Sequence, residues 1–352
     1  MNTKKNIQIF YGGFQFNKGG VNSYSSSLNN QLKKKFNVSL YTLDNLPIFI
    51  KFIPHIIEKI INFLYFPLGF YYKGTITRFL FKFFFKKKTD YIIFQDIYIS
   101  WNSNIPSLTM LHAIWSDNLQ GYDVNKKKLL KLKKKEINKI NSINHSLSTV
   151  SAPYRNFILK KHFFNKINKK IKVIGLGIEK NLVKSVKKIK KKPKSLIYVG
   201  SLEHRKNIFF LIDVFYKLYT HNSKYTLTII GSGPLKQELI KYSKKLNLEI
   251  NFLKNKDRKE IFNKLCKHEI YIHTSVKESF SLSLLEAKLA GLTTVAYKRL
   301  QIPKDFIDIG LNDFITDNWF NKIIKLHKTK KKININKYLL DKTVEKLTHL
   351  FE

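Results

Sequence analysis

The chain has one cysteine, Cys266, in 352 residues. That excludes a disulfide framework and fits a reducing compartment. Its ten histidines are scattered, and none pairs with another at the spacing that zinc ligation favours. Acidic residues are few: 24 Asp and Glu stand against 65 Lys and Arg, a formal charge of +41. Long apolar runs are missing as well. The longest uncharged, mostly apolar stretch covers residues 60–72 and is interrupted by Pro67 and Gly69. It is well short of the roughly 20 residues that span a bilayer. Residues 1–6 are polar, and the apolar run at 7–11 is too short for the core of a signal peptide.

A hydrophobic content of 43% is enough for two domains with substantial cores. A cationic surplus of this size favours polyanions: nucleic acid, anionic lipid or phosphorylated substrates. Most of it is lysine, mixed with many Asn, Ile and Phe, a composition that AT-rich codon bias also produces. There is no RNA- or DNA-binding motif, and the aromatics are not interleaved with the basic runs as stacking platforms would be. No nucleic-acid partner is expected.

In chain order, residues 7–11 read as a first buried strand. Gly12-Gly13 and Gly19-Gly20 follow, then a helical pattern from Val21 through Tyr24, Leu28 and Leu32. Strand, glycine loop, helix is how a Rossmann-like unit begins, with the loop near phosphate. The pattern is not G-x-G-x-x-G, and a plain glycine turn reads equally well. Residues 38–43 form a second strand. Residues 46–88 mix apolar residues with Lys51, Lys59, Lys73, Arg78, Lys82 and Lys86-Lys87-Lys88. Such a segment can lie in the headgroup plane of an anionic membrane, or form core helices with snorkelling lysines. The membrane or lipid-acceptor role is slightly favoured.

Further strands fall at 91–94 and 108–111. His112 follows directly, at the carboxyl end where α/β sites lie. A lysine-rich helix at 126–143, a strand at 145–150, a helix opened by Pro153 and a strand at 172–174 complete the first half. The charge run 184–194, with Pro193, reads as a linker. Beyond it, strands at 196–199, 227–230 and 250–253 alternate with helices at 207–219, 235–246 and 257–266. That alternation predicts a second parallel, doubly wound sheet. A helix at 338–351 closes the chain.

The most informative stretch runs from Glu278 to Gly291. Residues 270–272 are a short strand, and a polar loop follows. Leu282, Leu284, Leu285 and Leu289 then recur at helical spacing, with Gly291 as the helix stop. Glu278 and Glu286 flank the helix start, where several backbone N–H groups lack intrahelical partners. The arrangement suits a ligand with an anionic part for the N–H groups and hydroxyls for the carboxylates. A plainer reading makes Ser283 and Glu286 an S-x-x-E capping box and Glu278 a solvated loop residue. Spacing alone does not choose between them.

The stretch resembles the Glu-x7-Glu motif of the retaining nucleotide-sugar glycosyltransferases of family four, roughly E-G-F-G-x-x-x-x-E-A-x-A-x-G. Glu278, Phe280, Glu286, Ala287 and Gly291 are in register, Ala290 lies one place after the second alanine, and Ser279 and Ser281 replace the glycines. Residues 200–207 are similar to the family's G-[RST]-L-x-x-x-K-N element. Lys206 matches; Ser201 stands where arginine is commoner, so Arg205 is taken as its substitute. Gly231-Ser232-Gly233-Pro234 resembles the G-x-G-P turn. Gly175-Leu176-Gly177-Ile178-Glu179 resembles the I-x-N-G-I-D/E element that leads out of the first domain, with Leu176 in place of asparagine. The likeness covers residues 7–330, strongest over the second domain and weakest from 46 to 90.

The resemblance implies an α/β GT-B fold, two Rossmann-like doubly wound domains facing across a cleft. The expected divisions are an acceptor-side domain at 1–183, a linker at 184–194, a donor domain at 195–335, and a helix at 336–352 crossing back to the first domain. It implies catalytic roles for Glu278, at the donor-sugar hydroxyls, and for His112, near sugar and acceptor. Arg205 and Lys206 would clamp the diphosphate and Glu286 the ribose. Gly19, Gly20, Gly231, Gly233, Leu253, Ser279, Phe280, Ser281 and Leu282 would complete the donor site. No metal and no cofactor are expected, the nucleotide-diphosphate sugar being the donor substrate. The acceptor would be a saccharide or lipid-linked molecule of lipopolysaccharide or capsule synthesis. The protein would be cytoplasmic, peripheral at the inner face of an anionic membrane. Two other classes remain: a basic nucleic-acid-binding protein, and an inactive peripheral membrane protein on a transferase fold.

Overall fold

A computed structural model describes residues 4–15, 19–119, 122–184, 189–254, 257–326 and 332–350. Their packing forms two compact units, Met1–Gly177 with Leu340–Glu352, and Ile178–Leu339. The division falls before the lysine run at 184–194, of which residues 185–188 lie outside the described residues.

In the first unit the chain runs β1 (Asn6–Phe10), α1 (Gly20–Leu32), β2 (Asn37–Tyr41), α2 (Ile53–Tyr65), α3 (Gly69–Phe84), β3 (Tyr91–Phe94), β4 (Ser107–Leu111), α4 (Lys126–Ser142), β5 (Ser146–Thr149), α5 (Ala152–Asn156) and β6 (Ile171–Val173). The six strands are parallel in the order β2-β1-β3-β4-β5-β6. Helices cover both faces, so inner strands such as β3 and β4 are buried along their whole length. Phe10 stacks on Tyr41 and Phe94, at 5.3 and 5.8 Å, and meets Trp101 edge-on. Ser151 caps α5 by accepting from Tyr154 N at 3.1 Å, with Pro153 in the first turn. Residues 46–88 are a helical pair, α2 packed on α3.

One carboxylate lies deep in this unit. Glu136 of α4 is fully buried. It accepts from Tyr98 Oη at 2.7 Å, from Ser116 N at 3.1 Å and from the Ser116 hydroxyl, which lies 2.7 Å from His162 Nε2. Burial pushes the Glu136 carboxyl up to about 7, although the Ser116 and Tyr98 hydrogen bonds oppose that.

The second unit runs α6 (Lys180–Lys184), β7 (Ser195–Val199), α7 (Ile208–His221), β8 (Thr226–Ile230), α8 (Lys236–Lys245), β9 (Ile250–Leu253), α9 (Arg258–Cys266), β10 (Ile270–His273), α10 (Leu282–Leu289), β11 (Thr293–Tyr297), β12 (Ile309–Leu311) and α11 (Thr316–Ile324). Its parallel sheet has the order β12-β11-β10-β7-β8-β9, the 3-2-1-4-5-6 order of a dinucleotide-binding sheet. The last helix, α12 (Leu340–Thr348), groups with the first unit, where Gln31 at the end of α1 donates to Asp341.

Strand order reverses between β1 and β3 in the first sheet, and between β7 and β10 in the second. In open α/β sheets the crevice outside the strands' carboxyl ends at such a reversal is where ligands bind.

Candidate active site

Two loops leave the carboxyl ends of β7 and β10. The first passes through Gly200 to a short turn at His204–Lys206, ending at Asn207 in the left-handed region, φ +52°. Asparagine tolerates that conformation. The second runs from His273 to Ser281. Hydrogen bonds to backbone carbonyls tie the loops together: Thr274 Oγ1 donates to Lys206 O at 2.9 Å, and Val276 N to Arg205 O at 3.0 Å. At their junction Lys206 Nζ donates to Glu278 Oε1, joining residues 72 positions apart. His273 Nε2 lies 3.3 Å from the same oxygen, at ion-pair distance but without hydrogen-bond alignment. Arg205 Nε donates to Glu203 at 3.0 Å.

These groups shift one another. Burial alone would raise the Glu278 carboxyl; Lys206, His273 and Arg205 more than offset it, holding the group well below the usual carboxylate range. Burial lowers the Lys206 ammonium, as does neighbouring Arg205, against the pull of Glu278. Burial likewise lowers the His273 imidazole. Glu278 is therefore an ionised acceptor at neutral pH, poised beside two cationic side chains.

The second carboxylate is held by a different cation. Glu286 of α10 accepts from Arg258 Nε at 2.6 Å. Arg258 is the first residue of α9, and Asp257 caps that helix through Glu260 N at 2.8 Å. The capping box on Ser283 and Glu286 does not form. Ser281 is the N-cap of α10, accepting from Leu284 N at 3.4 Å, and Glu286 turns to Arg258 instead. Ser281 has φ +64°, the conformation for which glycine is the default. This gives a physical reason for the glycine usual at that position in the resembled motif. Phe280 is buried edge-on against Phe306, 5.2 Å away, and near Tyr338. Its ring anchors the loop in the core, so only its backbone is left for a ligand. Ser279 and Leu282 are half-buried alongside.

Gly231 and Gly233 follow β8. A Cβ on Gly231 would lie 2.0 Å from Gly200 O, and one on Gly233 2.3 Å from Leu202 O. The close approach they permit is to the loop bearing Lys206, so the fold itself requires both glycines. Gly231 N also donates to Leu253 O at 3.1 Å, at the end of β9.

In the first unit Gly19 caps α1 and Gly20 begins it. Both are exposed, and a Cβ on either would meet nothing within 4 Å; neither packing nor φ demands glycine there. His112 follows β4, buried, with Nε2 2.7 Å from Gln95 Oε1 and its ring edge-on to Tyr24 at 5.4 Å. Burial pushes its imidazole down to about 4, so it is neutral at physiological pH. A pocket of about 460 Å³ lies elsewhere in this unit, by the amino ends of β1 and β2, lined by Lys4, Gln8, Lys33, Asn37 and Lys87.

Of the residues singled out from sequence, the second unit brings together Arg205, Lys206 and Glu278, and separately joins the loops of Gly231, Gly233 and Leu253. Three participants were missed: His273, Arg258 and Glu203. His273 ends a strand at the switch point, the same signal that picked out His112. Arg258 is one of only five arginines among the 65 basic residues, a rarity that marks it in a lysine-biased chain. Glu203 has no such signal. Among the described residues no group of three His, Cys, Asp or Glu is placed to hold a metal ion.

Residues 179–336 match the family described as glycosyl transferases group 1, and the two parallel six-stranded sheets have the fold of GT-B glycosyltransferase structures. The GtfA subunit of UDP-N-acetylglucosamine–peptide N-acetylglucosaminyltransferase from Limosilactobacillus reuteri subsp. suis is 30% identical over 167 residues, 46% of this chain and 31% of the relative. The chain thus spans about a third of the length of the curated relatives it matches. The crystal structure of TarM aligns over 100% of this chain and 99% of its own, with TM-score 0.74 and 15% identity. Anabaena Alr3699/HepE in complex with UDP and glucose aligns over 98% of each chain, with TM-score 0.63 and 15% identity.

Proposed function

We propose that the chain is a glycosyltransferase that moves a sugar from a nucleotide-diphosphate donor to a saccharide or lipid-linked acceptor. The pairing of Lys206 with Glu278 carries this reading. It puts a cation suited to phosphate within hydrogen-bond reach of an ionised carboxylate suited to sugar hydroxyls. A ligand in which phosphate adjoins sugar matches that juxtaposition. The solved relatives hold UDP with GlcNAc in pneumococcal GtfA and UDP-glucose in HepE, which makes uridine donors the first to test.

As the glycosidic bond to phosphate breaks, its electron pair leaves on the diphosphate. Lys206 and Arg205 stabilise that growing charge, usually a large contribution to rate. Glu278 holds the sugar hydroxyls and faces the positive charge that develops at the anomeric centre. Glu286, steadied by Arg258, accepts from the ribose hydroxyls. Ser279, Ser281 and Leu282 offer backbone N–H groups at the start of α10, and Gly231, Gly233 and Leu253 border the nucleotide. Within the first unit, Gly19 and Gly20 lie at the start of α1, and His112 at the end of β4 is a neutral imidazole suited to orienting a hydroxyl. The reaction retains configuration and needs no metal. An acceptor from lipopolysaccharide or capsule synthesis, at the inner membrane face, fits the cationic chain.

The test is a panel of UDP-, GDP- and ADP-sugars, read by thermal stabilisation and by hydrolysis of the donor. One donor is expected to raise the melting temperature by several degrees at saturation and to turn over in excess chelator. If no nucleotide sugar stabilises the protein, the assignment fails.

A further inference from the structure

The inner side of α2 packs on α3; its outer side is apolar. Ile53, Ile56, Ile60, Phe63 and Leu64 are exposed along it, and Phe49 in the turn before it. Phe49 and Phe63 are 89% and 90% exposed, Ile56 and Ile60 more than half. At about 100° per residue the five helical positions form a continuous stripe roughly 100° wide. A contiguous apolar surface of this kind marks an interaction site.

Charge decides what covers it. Eight of residues 46–88 are Lys or Arg, and Glu58 is the one acid; Lys73 pairs with it at 2.8 Å. Lys59 is exposed beside the stripe. Lys51 sits over the Phe52 ring at 5.3 Å, and Lys128 reaches Leu64 O at 3.2 Å at the far end of the helix. Cations therefore rim the apolar face at its start, flank and end. A second copy of the same face would meet like charge. An anionic partner with an apolar interior meets both features. Among the described residues no helix is long and apolar enough to cross a membrane.

We propose that the outer face of α2 docks on a bilayer bearing anionic phospholipid, with Phe49 and Phe63 inserted at the acyl boundary and Lys51 and Lys59 against headgroup phosphates. The surface belongs to the first unit and its test does not depend on donor chemistry.

Flotation of the full chain is measured with vesicles of phosphatidylcholine alone and of equal parts phosphatidylcholine and phosphatidylglycerol. Binding is expected about tenfold or more tighter on the anionic vesicles, and weaker at high salt. Two double variants, Phe49→Ser with Phe63→Ser and Lys51→Glu with Lys59→Glu, should each lose about tenfold in affinity for anionic vesicles. The serine pair should keep the donor's thermal stabilisation, so loss of lipid binding is distinguishable from loss of the sugar-nucleotide reading. No flotation, equal binding to neutral vesicles, or a serine pair that binds like the parent would each overturn the proposal. So would a lipid-free dimer, seen by sedimentation velocity and dissolved by the serine pair, in a protein that does not float.

Discussion

Two carboxylates in this molecule, one fully buried and one half-buried, are satisfied in opposite ways. Glu136, in the first unit, takes hydrogen bonds from two hydroxyls and an amide, and its carboxyl still rises to about 7. Glu278, in the second, has Lys206 on one oxygen and His273 beside it, and is held well below its usual range. Neutral donors fill lone pairs but offset only part of the cost of taking a charge out of water; a cation offsets more than all of it here. Glu136 is thus part of a core network that tolerates protonation. Glu278 is kept charged where a ligand would meet it, and breaking a buried pair by removing one partner is costly.

The comparison can be broken most forcefully at the cation. Lys206→Ala should lower sugar transfer by about 100- to 1,000-fold, the range seen for losing one transition-state donor; a parent-like kcat would make the pair merely structural. Glu286→Ala should act mainly on binding, raising KM for the donor about tenfold, the size of losing one charge-assisted hydrogen bond, with kcat little changed. Arg258→Ala should shift KM the same way.

Glu136 sharpens the contrast through pH. Its folded pKa is raised, so the stability it allows is fully present below its unfolded value near 4.5 and is lost as pH rises through about 7. Between pH 6 and pH 8 it should cost the fold about 1.4 kcal/mol, seen as a falling urea midpoint. Glu136→Gln should remove that slope; an unchanged slope would mean that Glu136 stays ionised. The smallest expected effect is at the loop joining Glu278 to α10. Ser281→Gly should raise stability by about 0.5 kcal/mol, relief of the left-handed strain being partly cancelled by loss of the cap and added chain freedom. Differential scanning calorimetry would read it.

The second sheet was legible because its strands are buried on both faces and read as unbroken apolar runs, as in Leu196-Ile197-Tyr198-Val199. β11, β12 and α11 went unread. β12 has three residues with Gly310 at its middle, and α11 buries little beyond Trp319 and Ile323. Lys206 and Glu278 were picked out by the resemblance of their loops to family motifs, spacing alone leaving them open; that they touch was not readable, since no local signal links residues so far apart. The segment 46–88 left two readings because a stripe facing lipid and a stripe facing a core have the same period. The exposure of Phe49 and Phe63 shows that this stripe does not face the core of its unit.

The backbone-to-backbone seating of Gly231 and Gly233 on Gly200 and Leu202 has a consequence for anyone re-engineering this protein. No side chain cushions that seam, so lengthening either segment alone would jam it. Specificity grafts should move both segments as one cassette, cut from a single parent.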